Sequence, residues 1–399
     1  MNPLDVFLIL TAGAICAGTL ESIIHRYRLS KVPIRIHISG TRGKSSVTRL
    51  LAAGFSNSGI SCAAKTTGTL ARMILPDKRE IPVFRPVGAN ILEQMRIVTA
   101  ASELRVKALL VECMALQPEL HWISENKFIR ATHGVITNIR PDHLDVMGPT
   151  TADVAKAISS MIPINGKLYT TEGKYDTFLK SASEDRKTEF IKITEDEIQS
   201  VTDEELSGFK YTEHKDNIAL CLRILSDFGI DRRIAIKAMW NVQADPGVLT
   251  EHKLNFFGRK IIFVNAFAAN DPESTEKIWT MMMNKYAENV NNVITVFNLR
   301  EDRPHRTVQY VNNCSFWKDS DKVVLMGSGS YLFARLAAKN TNYPVSGFVY
   351  TENDAVEDIF EKIIDLCGSS ALIFGVGNIG GLGLPLARYF KNREFLGEV

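Results

Sequence analysis

Ile34-Arg-Ile-His-Ile-Ser-Gly-Thr-Arg-Gly-Lys-Ser-Ser-Val-Thr-Arg-Leu-Leu-Ala-Ala-Gly54 passes from β-branched alternation through a glycine-rich turn into helical spacing. Strand, glycine turn and helix in that order form the context in which a backbone loop cradles phosphate. The glycines let backbone N–H groups approach phosphate oxygens without a Cβ in the way. The helix N-terminus adds partial positive charge. Lys44 is placed to reach the outer phosphates of a triphosphate, and Ser45 to offer its hydroxyl to Mg²⁺. The common form of this loop needs glycine at position 38, where this chain has Ile38. The spacing is therefore the shorter Gly-x-x-Gly-Lys-Ser-Ser form.

The pattern continues in both directions as α/β. Strand candidates are 34–39, 108–113, 134–138, 167–171, 261–266, 293–297, 323–326 and 372–375. Several are nearly continuous apolar runs, which suits parallel strands covered on both faces. Residues 181–208 are rich in Glu, Asp and Lys and read as a solvated edge element. Asp245-Pro-Gly247 is strong turn chemistry, and a domain boundary is expected there. The chain of 399 residues then divides into an N-terminal helix over 1–30, a nucleotide-binding domain over 31–244 and a smaller Rossmann-like α/β domain over 245–399, in line with about 100–200 residues per domain.

Composition excludes some classes. Hydrophobic residues are 45% and charged residues 23%, and the net charge is +2. These values fit a globular protein, and with no long basic run they argue against nucleic acid as a partner. The six cysteines are scattered without a C-x-x-C pair, which speaks against a zinc or disulfide framework. Residues 6–20 are apolar or small, with Glu21 the first interruption and Arg26, Arg28 and Lys31 following. Only Asp5 precedes the run, the wrong charge for a secretory signal. The basic flank keeps that side of a spanning helix in the cytoplasm. The segment reads either as a membrane anchor or partner-binding helix, or as a buried N-terminal helix.

Gly40-Thr41-x-Gly43-Lys44-Ser45-Ser46 resembles the short phosphate loop of the Mur ligase superfamily. Further stretches carry the resemblance: Leu109-Leu-Val-Glu-Cys113, Asn138-x3-Asp142-His143-x-Asp145, Lys215-Asp-Asn-Ile-Ala-Leu220 and Phe263-Val-Asn-Ala-Phe-Ala-Ala-Asn-Asp-Pro272. Within that superfamily the chain resembles the poly-γ-glutamate synthase subunits of the CapB or PgsB family. That likeness runs over nearly the whole length, through Lys65-Thr-Thr-Gly-Thr69, Glu112-Cys-Met-Ala, Asp302-Arg-Pro-His-Arg306 and Phe374-Gly-Val-Gly-Asn378.

The resemblance implies a Mur-ligase-like ATP-binding domain and an ATP-dependent amide ligase releasing ADP and phosphate. It implies ATP and Mg²⁺ as ligands, glutamate and a γ-linked glutamate chain as substrates, and membrane partners of the CapC and CapA type. A homo-oligomer is left open. It places Gly40, Thr41, Arg42, Gly43, Lys44, Ser45 and Ser46 on the phosphates and Asn138 and Asn217 near the adenine. Ser45, Glu112 and His143 become metal ligands, with Lys44, Glu112 and His143 carrying the chemistry. Asn265, Asn270 and Asp271 would close over the nucleotide or orient the amino acid. Lys65, Thr66 and Thr67 would shape the acceptor pocket, and Arg300, Arg303 and Arg306 would meet an anionic substrate. Other readings stay open: a strand-end carboxylate at Glu112, a satisfied loop histidine at His143, an ordinary turn at 65–69 and a solvated arginine face. One departure stands out. The carbamylated lysine of most Mur ligases has no clear counterpart, since Ser159 and Ser160 fall near its place and Lys156 and Lys167 lie on either side. A non-enzymatic alternative is a nucleotide-binding scaffold of a membrane export complex.

Overall fold

The computed structural model describes residues 2–394 apart from 69, 86–87, 244, 246, 270–271 and 342. The chain divides into two compact units, Met1–Gln243 and Ala244–Val399. The first unit is built on a sheet of β1 (Ile34–Ser39), β2 (Cys62–Thr66), β3 (Arg72–Ile74), β4 (Glu80–Pro82), β5 (Ala108–Glu112), β6 (His133–Ile136), β7 (Lys167–Thr170) and β8 (Glu189–Lys192). Their order is β4-β3-β2-β5-β1-β6-β7-β8. All neighbours are parallel except the β2–β3 and β3–β4 pairs, so the sheet is mixed rather than wholly parallel.

Register explains why the site lies where it does. Ile38 of β1 is opposite Glu112 of β5, and Ser39 is opposite Ile136 of β6. Three parallel strands thus finish side by side, and the segments leaving β5 and β6 flank the turn after β1. This is the carboxyl end of an open sheet, where α/β folds bind ligands.

Burial fixes the register. Ile36 and Ile38 point to one face, where Val47, Leu50, Leu51 and Phe55 of the Lys44–Asn57 helix pack with Ile218 and Leu225 of the Lys215–Asp227 helix. Each such large apolar side chain contributes about 1.5–3 kcal/mol on leaving water. Ile38 is fully buried in this cluster, so the position where longer loops carry glycine serves the core here. On the opposite face Leu109 and Val111 pack with Ile97, Val98, Leu29 and Val32.

The Pro3–Ser30 helix is 28 residues long, roughly 42 Å at 1.5 Å per residue. It is long and apolar enough to cross a membrane, and its apolar window is unburied. The buried-helix reading does not hold: only His25 and Leu29 of this helix are buried. His25 Nε2 lies 2.7 Å from the Phe128 carbonyl oxygen and Leu29 enters the core. The polar 181–208 stretch holds the edge strand β8 and two short helices, Glu195–Gln199 and Asp203–Ser207, each with a threonine capping box.

The second unit is a Rossmann-like α/β layer of β9 (Thr250–Phe256), β10 (Arg259–Asn265), β11 (Asn292–Asn298), β12 (Lys322–Met326), β13 (Phe348–Thr351) and β14 (Ser370–Gly377). The order is β13-β12-β11-β14-β10-β9, with only β9–β10 antiparallel. That hairpin turns on Phe257 and Gly258, both at positive φ (49° and 81°), the backbone that two-residue hairpin turns require.

Candidate active site

The loop after β1 is held from three directions. Gly40 has φ +123°, and a Cβ there would lie 2.1 Å from Thr137 Oγ1 and 3.0 Å from the Asn138 carbonyl oxygen. Gly43 has φ +80°, and a Cβ there would lie 2.7 Å from Asn217 Oδ1. The two glycines are thus required both by backbone conformation and by the close approach of β6's extension and of the Lys215–Asp227 helix.

Asn138 and Thr137 grip the loop backbone. Thr41 Oγ1 and the Arg42 N–H donate to Asn138 Oδ1 at 2.7 and 3.1 Å, and Asn138 Nδ2 donates to the Arg42 carbonyl at 3.1 Å. Thr137 Oγ1 donates to the same carbonyl at 2.6 Å. Asn217 Nδ2 donates to Glu213 Oε1 at 2.8 Å, and burial raises the Glu213 pKa above the usual carboxylate value. Both asparagines expected near adenine therefore touch the loop itself, and Asn138 in particular acts as its clamp.

Lys44 begins the helix and folds over the turn: its Nζ donates to the carbonyls of Gly40 (2.7 Å) and Thr41 (3.3 Å). Ser45 Oγ donates to Glu112 Oε2 at 2.8 Å, and the Thr67 N–H donates to the same oxygen at 2.7 Å. Glu112 is 2% exposed. The end of β5, the start of the helix and the segment after β2 thus meet on one carboxylate. Arg42 Nη1 donates to Asp142 Oδ2 at 2.9 Å. Burial raises the Asp142 pKa, but the Arg42, His143 and Lys44 charges and the hydrogen bond from Arg42 together outweigh it and hold the group below the usual range.

His143 follows in a left-handed turn (φ 45°), its Nε2 3.9 Å from Asp142 Oδ1. Among the described residues no three His, Cys, Asp or Glu side chains converge on one point. Ser45 and Glu112 are brought together as an oxygen pair.

The residues expected to shape the acceptor pocket differ in burial: Lys65 and Thr66 are buried and Thr67 is half-buried. Lys65 is fully buried and its Nζ lies 2.5 Å from Glu93 Oε1, itself 1% exposed and gripped by Arg85 at 2.7 and 2.8 Å. Burial lowers the Lys65 pKa. Its charge is answered inside the protein by Glu93. Thr66 is equally buried, and Thr67 contributes its backbone to Glu112. Neither lysine weighed as a carbamylation site stands at the loop. Lys156 is exposed and pairs with Asp153. Lys167 starts β7, at the end of the sheet away from the loop, and pairs with Glu189 and Asp227.

Behind Glu112 lies a buried polar group that the sequence does not announce. His37 Nδ1 is 2.8 Å from Glu125 Oε2, and Cys113 Sγ is 3.5 Å from His121 Nδ1. Burial opposes charge on His37, but hydrogen bonds to Cys113 and Glu125 raise its pKa to about 9.

In the second unit Asn265, Asn298 and Asn378 stand at or just past the ends of the adjacent strands β10, β11 and β14. Asn378 Nδ2 donates to the Asn298 carbonyl at 3.1 Å, and Arg306 Nη1 donates to Asn378 Oδ1 at 2.6 Å. Arg306 is 6% exposed. The three arginines do not act as one cluster: Arg300 forks onto Asp302 at 2.9 and 2.6 Å, Arg303 precedes the Pro304–Asn313 helix and Arg306 turns inward. Asn270 and Asp271 lie outside the described residues. Sequence reasoning misses the Asn298–Asn378 pairing; its only signal is the Gly-Val-Gly-Asn378 strand exit.

The Mur ligase middle domain family matches residues 38–242, and the poly-gamma-glutamate synthase CapB C-terminal domain family matches 251–393. The chain is 36% identical over 380 residues to the capsule biosynthesis protein CapB of Bacillus anthracis, covering 95% of this chain and 81% of that one. It is 34% identical over 383 residues to the PGA synthase CapB of Bacillus subtilis, covering 96% of each. Among solved structures, FolC of E. coli in complex with ADP superposes with a TM-score of 0.65 at 11% identity, over 93% of this chain and 92% of that one. Folylpolyglutamate synthase of Mycobacterium tuberculosis with ADP gives 0.64 at 15% identity and 98% of both. The chain belongs to the CapB family of poly-γ-glutamate synthases, ATP-dependent ligases built on the Mur ligase fold.

Proposed function

We propose that this chain joins glutamate to a γ-linked glutamate chain as a carboxylate–amine (acid–amino-acid) ligase. A γ-carboxylate attacks the terminal phosphorus of ATP, giving an acyl phosphate and ADP. The amine of glutamate then attacks the acyl carbonyl, the C–O bond to phosphate breaks, and inorganic phosphate leaves with the amide formed. Both steps develop negative charge that fixed positive groups and amides must meet. The observation that carries the reading is the Ser45–Glu112 pair, 2.8 Å apart beside a loop whose glycines leave room only for backbone.

Two hard oxygen ligands fit Mg²⁺, which keeps several waters. The bound ion would supply charge neutralisation between phosphate oxygens. Lys44 and the amides of 40–46 would hold the triphosphate, Thr137 and Asn138 would keep the loop in shape, and Asn217 would brace Gly43. His143 would stand near the γ-phosphate beside Asp142. From the second unit, Asn265, Asn270 and Asp271 would serve the nucleotide, and Arg300 and Arg303 the carboxylates of glutamate.

The domains are proposed as 1–30 for anchorage, 31–244 for ATP and 245–399 for completing the ligase. The exposed apolar helix with Arg26, Arg28 and Lys31 at its foot supports a position on the cytoplasmic face of the membrane, beside partners of the CapC and CapA type. That same helix favours the second reading, a scaffold that organises polymer export. Membranes carrying the full chain and its partners are expected to release ADP and phosphate only when glutamate is present. The Lys44→Ala variant is expected to abolish both this release and γ-linked product. Polymer synthesis that survives this change would leave only the scaffold reading.

A further inference from the structure

The foot of the Pro3–Ser30 helix opens on a cavity of about 430 Å³. It is lined by Arg26 and Ser30 of the helix, Arg35 of β1, and Asn126, Arg130 and Thr132 of the segment before β6. Three guanidinium groups face one cavity. The single lining carboxylate, Glu125, is turned into the core: its Oε2 meets His37 Nδ1 at 2.8 Å and its Oε1 accepts from the Ala131 N–H at 2.7 Å. Arg35 is wall rather than contact. Its Nη1 donates to the Val32 carbonyl at 2.7 Å and its Nε to the Arg130 carbonyl at 2.9 Å, tying the helix foot to the body.

Arg26 and Arg130 differ from it. Both are exposed, and among the described residues neither side chain has a hydrogen-bond or ion-pair partner. Nearby side chains have the amphipathic character found at bilayer surfaces. Tyr27 is 61% exposed with Lys31 Nζ 4.3 Å from its ring centre, and Trp122 is 43% exposed with Lys127 Nζ 5.3 Å away. Aromatic rings of this kind settle at headgroup depth. A helix spanning residues 3–24 covers roughly 33 Å, close to the hydrocarbon thickness of about 30 Å. Arg26 then sits at the level of lipid phosphates. A second cleft, lined by Glu197, Arg223 and Arg232, offers no such field: Glu197 pairs with Arg223 and Glu205 with Arg232.

We propose that this cavity is a headgroup site for an anionic phospholipid, with Arg26 and Arg130 gripping the phosphodiester and Asn126, Ser30 and Thr132 giving polar contacts around it. The proposal rests on the anchor reading of the helix. It goes beyond it by assigning a lipid class and the residues that select it. A bidentate guanidinium matches the two free oxygens of a phosphodiester, and two such groups from different elements make the grip depend on the folded foot rather than on loose charge.

The test uses the full chain in nanodiscs of phosphatidylcholine alone or mixed with phosphatidylglycerol, with retained lipid counted by native mass spectrometry after partial delipidation. The wild type is expected to keep phosphatidylglycerol in preference to phosphatidylcholine. The Arg26→Gln/Arg130→Gln variant is expected to lose that preference by roughly fivefold per arginine, and Arg26→Lys/Arg130→Lys, which keeps the charge but not the guanidinium fork, to lose a clear part of it. Insertion into both discs with no lipid preference would overturn the headgroup site and leave the anchor standing. Failure to enter either disc would overturn the anchor and the site together. Displacement of phosphatidylglycerol by millimolar inorganic phosphate, with equal phosphate binding in phosphatidylcholine discs, would make this a free-anion site and refute the lipid assignment.

Discussion

Replacing Gly43 by alanine tests whether the loop is held by shape. At φ +80° an alanine meets the left-handed penalty of about 1–2 kcal/mol. Its Cβ would also lie 2.7 Å from Asn217 Oδ1, so Asn217 must retreat and give up its bond to Glu213. Because burial favours the neutral form of Glu213, that bond is valued in the ordinary range of about 0.5–1.5 kcal/mol. The sum, about 1.5–3.5 kcal/mol, is a loss of roughly 10-fold to 300-fold in nucleotide affinity if the strain is relieved only by opening the loop. The assay is calorimetric titration of ATP and ADP into wild type, Gly43→Ala, Asn217→Ala and the double variant, with thermal unfolding to confirm the fold. In the Asn217→Ala background the added methyl should cost only the backbone part. A Gly43→Ala protein that binds within twofold of wild type, or a penalty indifferent to Asn217, would refute the reasoning.

Glu112→Gln keeps the shape of the junction but removes its charge; Mg²⁺-dependent ATP turnover should fall at least tenfold while nucleotide binding in chelator is little changed, as read by phosphate release and titration. Lys65→Met leaves Glu93 buried with only Arg85 beside it, and breaking a buried pair costs about 3–5 kcal/mol, so urea unfolding should shift strongly and Lys65→Met/Glu93→Leu should recover part of the loss. His133, packed between Tyr169 and Phe228, has its pKa lowered to about 4 by burial and then by Lys167. The unfolded chain therefore binds more protons between pH 6.5 and 4. The stabilisation is complete above 6.5 and lost as pH falls through about 4, by at most about 1.4 kcal/mol per unit. His133→Gln should flatten this limb in unfolding curves at pH 4.5 and 7.

The fold is legible where composition and burial agree. The stretches around β5, β10, β11 and β14 are largely apolar runs because both their faces are covered, and β1 is marked by its alternating isoleucines. β2 escapes because Cys62-Ala-Ala-Lys-Thr66 lacks large branched residues and carries a charge near its end. Only the distant partner Glu93 makes that lysine tolerable, and no local pattern encodes a partner 28 positions away. β9 escapes for the opposite reason: as an antiparallel edge its Glu251, His252, Lys253 and Asn255 read as surface. At the site, sequence order leads to the junction of Ser45 and Glu112, because a strand end and a helix start are local facts. It cannot sort the arginines. Arg303 and Arg306 lie one helical turn apart, yet which of them meets Asn378 depends on how β14 ends, about 70 residues later.

The foot of the N-terminal helix sets a rule for making a soluble form of this enzyme. Residues up to Ile24 touch little else, but His25 bonds the Phe128 carbonyl and Leu29 fills the core beside Val32. A deletion ending at residue 24 discards only exposed, largely apolar helix surface. One ending at residue 30, where the sequence boundary would place it, uncovers the apolar face behind β5 and turns a solubility strategy into an aggregation hazard.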